Sequence, residues 1–305
     1  MSNSDLEEGF VAFTDHYKCR LFIRPISEIT HGAQKKLHTI DFVWLDPSTT
    51  HIKLPEQICI NCASELGGSE TSLLAGLNSE HIIGAPEYLC KVQWPINSYP
   101  PTSYQYMTDK ACGTFNVNFI QKNKIDHTEL LTYVVDLAQG LKYLHNNNLV
   151  HSDFKPDNIL IFKNKIKIAD FGSCMPPKNE KWGDGITIRS PEIMMTNTAE
   201  GKTYKGFPHD MFALGYSIFE LASPENVKPN CSAKDFEFTE KELYSSEFQE
   251  AHQKKLKEAW PKSNNSAEKK LRKLALKLMT INPVNRINAN AIELLIHPAI
   301  LLLQN

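Results

Sequence analysis

Leu149-Val-His151-Ser152-Asp153-Phe-Lys155-Pro-Asp-Asn158-Ile-Leu-Ile161, followed after Lys163-Asn164 by Lys165-Ile-Lys-Ile-Ala-Asp170-Phe-Gly172, decides how this chain is read. Two isoleucine-rich runs on either side of Lys163-Asn164 predict a short hairpin. Ahead of it lies a polar loop whose Asp, Asn and Pro are each ordinary turn formers. Taken singly they mean nothing; the pattern of the whole loop, with Asp170 seventeen residues beyond Asp153, is what carries information. Upstream, Asp126-His-Thr-Glu129 has the form of a capping box. Leu130, Leu131, Val134, Val135, Leu137, Leu141 and Leu144 then recur at helical spacing, which predicts one apolar helix of about twenty residues.

Working outward, the C-terminal direction is helical. Segments near Asp210 to Leu221, Glu240 to Glu258, Ala267 to Thr280 and Asn288 to Ile296 carry helical periodicity, and Pro224 to Ser232 reads as a loop. Toward the N-terminus the signal changes to short β-branched and aromatic runs: Phe10 to Phe13, Cys19 to Ile23, Leu37 to Leu45, Ile52 to Leu54 and Glu87 to Val92. These predict an antiparallel sheet. Glu65 to Leu77 is the one helix-like stretch among them, and Trp94 to Thr102, with three prolines, reads as a loop. The expected class is α+β, a small β-rich lobe with one helix followed by a larger, mainly helical lobe.

Composition narrows the function classes. The chain has 305 residues, 41% hydrophobic and 22% charged, with a formal net charge of −2. That is enough length for about two domains or lobes, and no global charge draws the chain to nucleic acid or an anionic bilayer. No apolar run approaches the ~18 residues of a membrane span. The acidic, polar start does not resemble a secretory signal, so a reducing, cytoplasmic setting is expected and the seven cysteines are read as thiols. Cys59 and Cys62 form the one C-x-x-C pair, without the second pair or His pair that a zinc site needs.

At the quoted stretch the chain resembles the eukaryotic-type Ser/Thr protein kinases, whose catalytic loop H-R-D-x-K-x-x-N and metal-binding D-F-G share this form, order and separation. The resemblance implies a bilobal kinase fold. Residues 1–19 would be an N-terminal extension and 20–303 the kinase domain, with an N-lobe to about 108, a hinge at about 108–114 and a C-lobe beyond. It implies transfer of the γ-phosphate of ATP to a protein hydroxyl, with Asp153 beside the attacking oxygen and Lys155 on the transferred phosphate. Asn158 and Asp170 would hold Mg²⁺. Lys155 is typical of the Ser/Thr branch. Ser190-Pro-Glu192 stands for the family's A-P-E, Asp210-Met-Phe-Ala-Leu-Gly215 for its D-x-W-S-x-G, and Asn282 to Arg286 for the segment whose Arg pairs with that Glu.

The N-terminal third matches less well. Thr30-His-Gly32-Ala-Gln-Lys35-Lys-Leu37 aligns with G-x-G-x-x-G-x-V but keeps only the middle glycine, and Leu37 takes the Val position. Glu70 aligns with the helix glutamate. Its partner, a lysine on the third strand that also reaches the phosphates, is read as Lys53, with a solvated surface lysine as the rival reading. If Lys53 is wrong, Asn61 falls at that position and a pseudokinase is favoured. Met107 aligns with the gatekeeper, and Asp109 and Lys110 with the strand edge facing adenine.

Ser152 replaces the loop arginine that in most members binds a phosphorylated activation segment. Activity is therefore expected to be independent of that phosphorylation, and Thr187→Ala to be nearly silent. Two alternatives stay open: a pseudokinase acting as a scaffold, and a kinase-fold enzyme transferring another part of ATP. The expected partner is a protein substrate, not nucleic acid or membrane, and the chain is expected to act as a monomer. A minimal kinase of this kind would suit a pathogen protein inside a host cell.

Overall fold

The computed structural model describes residues 11–14, 20–31, 35–45, 58–63, 73, 76–83, 89–93, 103–163, 165–179, 187–188, 190–196, 204–223, 241, 244–292 and 295. The chain divides into two compact units, Met1–Ala111 and Cys112–Asn305.

The first unit is built on six antiparallel strands: β1 (Val11–Thr14), β2 (Arg20–His31), β3 (Lys35–Leu45), β4 (Ile58–Ala63), β5 (Leu89–Gln93) and β6 (Ser103–Asp109). Their order is β1-β2-β3-β4-β6-β5, and β1 also pairs with β5, so the sheet closes on itself. Closure leaves no sheet edge open to other strands. β2 and β3 form a long hairpin whose register slips near Pro25, a residue with no N–H for the ladder. The sequence expectation of an antiparallel sheet is met, with Val11–Thr14 of the expected extension included in it. The expected strand Ile52 to Leu54 lies outside the described residues, as does nearly all of the helix expected over Glu65 to Leu77.

In the second unit, the cap and apolar periodicity produce helices over 127–146, 207–222 and 266–278 close to where they were expected; the one expected from Glu240 begins at Ser246, and the one expected over Asn288 to Ile296 lies partly outside the described residues. β7 (Gly113–Thr114) leads to α1 (Val117–Asn123), too short to have shown periodicity, and to α2 (His127–Asn146). Asp126 Oδ1 accepts the Thr128 and Glu129 N–H groups at 2.8 Å each, which satisfies two otherwise unpaired donors of α2. Its leucine and valine face is buried. The quoted hairpin is β8 (Ile159–Phe162) with β9 (Lys165–Ile168), in register Ile159↔Ile168 and joined to β7. β10 (Lys178–Asn179) pairs with β11 (Tyr204–Lys205), and α3 (Pro191–Thr196) lies between them in sequence.

α4 (Phe207–Ala222) is buried on nearly every face, as expected of a central helix. α5 (Ser246–Ala259) and α6 (Ser266–Leu278) follow. Gly215 lets α4 approach α6 closely: a Cβ there would lie 2.6 Å from Leu278 Cβ. Trp260, fully buried, stacks edge-on against Phe219 and donates from its indole N–H to Glu268 at 3.1 Å. Among the described residues, no helix is long and apolar enough to cross a membrane. Cys112 and Cys174 are free thiols.

Candidate active site

The loop between α2 and β8 is shaped by one buried carboxylate. Asp210, in the first turn of α4, accepts the His151 N–H (2.8 Å) on Oδ2 and the Ser152 N–H (2.9 Å) on Oδ1, and His145 Nε2 lies 2.9 Å from Oδ2. Burial pushes the Asp210 carboxyl up, but the His145 hydrogen bond and the neighbouring histidines outweigh it and hold the group below the usual range. These contacts hold Ser152 at φ 71°, a left-handed backbone that costs a non-glycine residue energy unless its surroundings impose it.

A second clamp comes from His209. A carbonyl can only accept, so Nε2 carries the proton and donates to Ser152 O at 2.8 Å. Nδ1 is then free to accept from the Ser190 hydroxyl at 3.0 Å. Complete burial pushes the His209 pKa down, which keeps this neutral form. His151 Nε2 in turn donates to Ala169 O at 2.9 Å, and the Ala169 N–H to Asn158 O at 2.8 Å, which stitches the loop to the residue preceding Asp170.

Asp153 stands on this platform. Its Oδ1 accepts the Thr187 N–H at 2.9 Å, and its Oδ2 accepts Lys155 Nζ at 2.6 Å and, more weakly, Asn158 Nδ2 at 3.3 Å. Asn158 Nδ2 also donates to Asp153 O at 2.8 Å, which turns the amide oxygen away from Asp153. Lys155 Nζ reaches Thr187 Oγ1 at 2.8 Å. Asp170, exposed and at φ 63°, opens the 3₁₀ turn Phe171–Ser173. Asp153, Lys155 and Asn158 therefore share one hydrogen-bonded cluster, and Asp170 follows the residue tied to it. The arrangement offers a carboxylate able to take a proton from a hydroxyl, an ammonium for an anion, and an amide and carboxylate oxygen for a hard cation.

Thr187 has a place that the sequence did not suggest: its amide bonds Asp153 and its hydroxyl bonds Lys155, so Thr187→Ala would remove the bond to Lys155 and keep the one to Asp153. Glu192 and Arg286 form the expected buried pair, at 2.5 and 2.9 Å. Burial alone would raise the Glu192 carboxyl, but the Arg286 charge and hydrogen bonds bring it below the usual range. The guanidinium also donates to Pro208, Thr280 and Ile281 carbonyls. His145 and His209 were not singled out from the sequence. The available signal was that Ser190 replaces the family's alanine and that a histidine precedes Asp210, but only the fold brings those two side chains into contact.

On the first unit, Leu37 of β3 pairs with Asn61 of β4, and Met107 and Asp109 of β6 pair with Ile60 and Ile58 of β4. Lys110 follows β6 and is exposed. Gly32, Lys53 and Glu70 lie outside the described residues. Among the described residues, the strand paired with β3 on its other side is β4, with the sequence Ile58-Cys-Ile-Asn-Cys-Ala63, and it carries no lysine.

A family model described as the protein kinase domain matches residues 57–299. Cyclin-dependent kinase F-3 of Oryza sativa subsp. japonica is 30% identical over 133 residues, covering 41% of this chain and 28% of that protein. The mitosis inhibitor protein kinase of Candida albicans is 34% identical over 149 residues, 45% of this chain and 12% of the relative. A mitogen-activated protein kinase of Drosophila melanogaster is 29% identical over 165 residues, 52% and 43% respectively. The chain thus spans less than half the length of each of these relatives.

Proposed function

The chain belongs to the protein kinase family, and from that premise we propose that it is an active serine/threonine protein kinase, with residues 20–303 as the bilobal kinase domain. The observation that carries the reading is the Asp153 cluster, in which Lys155 Nζ bonds both Asp153 Oδ2 (2.6 Å) and Thr187 Oγ1 (2.8 Å). Asp153 takes the proton of the acceptor hydroxyl as its oxygen bonds to the γ-phosphorus of ATP and the bond to the ADP oxygen breaks. Lys155 shifts from Asp153 to the transferred phosphate, and the Thr187 amide keeps the carboxylate aimed. Gly32, Leu37, Lys53, Glu70, Met107, Asp109 and Lys110 complete the nucleotide site in this reading.

Mg²⁺ fits the donors. The Asn158 amide nitrogen is committed to Asp153, leaving its oxygen, and Asp170 adds an exposed carboxylate. Among the described residues no group of three or more His, Cys, Asp or Glu could hold a metal ion. This suits an ion that takes its remaining ligands from phosphate and water. When bound, it would neutralise charge on the phosphates. Phosphorylation of Thr187 would put two negative charges beside Asp153, so activity independent of activation-segment phosphorylation remains part of the proposal.

One observation favours the second reading, a pseudokinase scaffold: Asn61, not a lysine, lies on β4. The test is incubation with Mg-ATP and a generic Ser/Thr acceptor, read by intact mass, with Asp153→Asn and Asp170→Ala in parallel. Phosphate gain abolished in both variants supports the kinase. ATP-independent melting together with no transfer supports the scaffold, and a nucleotidyl adduct would overturn both.

A further inference from the structure

The stretch from Lys254 to Lys277 holds nine Lys and Arg residues against two Glu, in a chain whose net charge is −2. One of the two acids, Glu268, is buried and bonded to the Trp260 indole, so it does little to neutralise the surface. On α6, Lys269, Lys273 and Lys277 follow one another at spacings of four, and Lys269 and Lys273 are as exposed as Lys277. Like charges four apart repel along a helix, and only Lys277, in the last turn, gains from the helix dipole. The row is the solvent face of an amphipathic helix whose Leu271, Leu274, Ala275 and Leu278 are buried, which accounts for polar residues there but not for their single sign.

Four of the nine cations line a groove, and Glu250 and Glu258 lie in the adjoining depression that shares Gln253 and Lys257 with it. Between α5 and α6 lies a depression of about 400 Å³ whose walls include Lys257, Arg272, Lys273 and Lys277, with Leu276 among its lining, and no acid. Arg272 is committed to the Trp260 and Lys257 carbonyls. Lys257, Lys273 and Lys277 are all exposed, and among the described residues no carboxylate forms a salt bridge with them. The Asp153 cluster uses none of these residues.

We propose that this groove docks an extended peptide segment rich in Glu and Asp, belonging to a partner protein. Charge complementarity selects an acidic occupant. The lining runs from Arg272 to Thr280 on one wall, about 12 Å, room for roughly three residues of extended chain. The apolar Leu276 and the amide of Gln253 in the lining suit a polypeptide, and no aromatic side chain is present there on which a nucleic-acid base could stack. The site goes beyond phosphoryl transfer and is tested by binding alone.

The experiment titrates a fluorescently labelled Glu/Asp-rich peptide with the 305-residue chain at low and at physiological salt. It compares wild type with the triple variant Lys257→Glu, Lys273→Glu, Lys277→Glu and with a charge-matched control, Lys122→Glu, Lys178→Glu, Lys241→Glu. The groove variant is expected to weaken binding about tenfold or more, with a flatter salt dependence, while the control stays close to wild type. The triple Lys→Gln variant should show an intermediate loss, and it keeps the test valid should the Glu variant melt early. Equal losses in groove and control variants would overturn the proposal. So would the absence of peptide binding by wild type, or tighter binding of a single-stranded oligonucleotide at the same groove.

Discussion

Two carboxylate–cation pairs in the second unit have opposite designs. Glu192 and Arg286 are both buried, joined through two hydrogen bonds, and the guanidinium's remaining donors go to main-chain carbonyls. Asp153 and Lys155 share a single contact, and the lysine side chain is 21% exposed. The first pair can exchange its partners only by opening the core. The second can release its lysine to an arriving anion at the cost of one contact partly replaced by water. The planar arginine fork suits the fixed pair, and the flexible ammonium suits the labile one.

The largest effect should separate them directly. Asp153→Asn keeps the shape of the cluster but removes the base, so transfer is expected to fall by about 10³-fold or more with little change in melting temperature. A parallel loss of stability would mean that this pair, too, is scaffold. Arg286→Ala should do the reverse, costing about 3–5 kcal/mol of stability by leaving Glu192 buried and unpaired. Its pH dependence sharpens the point. In the wild type the depressed Glu192 pKa contributes stability that is present above the ordinary carboxylate range and lost as pH falls through the folded value. In the variant, acid protonates the unpaired Glu192 and relieves its burial, so the deficit measured by denaturant titration should shrink toward pH 5.

Gly215→Ala tests the packing that carries the buried pair. Its new Cβ would meet Leu278 Cβ at 2.6 Å, and a loss of about 1–3 kcal/mol is expected, because α4 and α6 must separate. An unchanged melting temperature would show that the helices yield freely. Thr187→Ala leaves the amide on Asp153 but frees one side of Lys155. A decrease of about tenfold in transfer is expected from a lost bond to a charged group, and an unaltered rate would restore the sequence expectation. An effect confined to acid pH concerns His252, buried against the Met279 carbonyl, whose pKa burial lowers from 6.5 to about 4. The unfolded chain binds that proton first, so stability is lost as pH falls from about 6.5 toward 4. His252→Gln, which keeps an N–H donor for Met279, should flatten the stability profile over that window.

The sequence was most legible where local signals and chemistry coincide. The Asp126 cap and leucine row placed α2 to within a residue, and the loop from His151 to Asn158 with Asp170 marked the family before any coordinate was known. It was least legible where side chains meet across long separations. His209 reaching Ser190 and Ser152, and Thr187 reaching Lys155, join positions nineteen or more residues apart with no periodic pattern to betray them. The third-strand lysine shows the same limit. Lys53 fits by spacing but lies outside the described residues, and among those described it is β4, with Asn61 opposite Leu37, that pairs with β3. Lys53→Met and Lys35→Met, compared for ATP-induced shift in melting temperature, would show which lysine, if either, meets the phosphates.

By itself the sequence determined which residue types could do chemistry, because a proton acceptor, an ammonium and an amide in one loop, and a carboxylate just after the hairpin that follows, are local properties of the chain. Only the tertiary structure decided how that loop is held. Asp210 and His209 come from α4, 59 and 57 residues beyond the loop positions they hold, and their hydrogen bonds become strong and directional only once burial has removed the competing water.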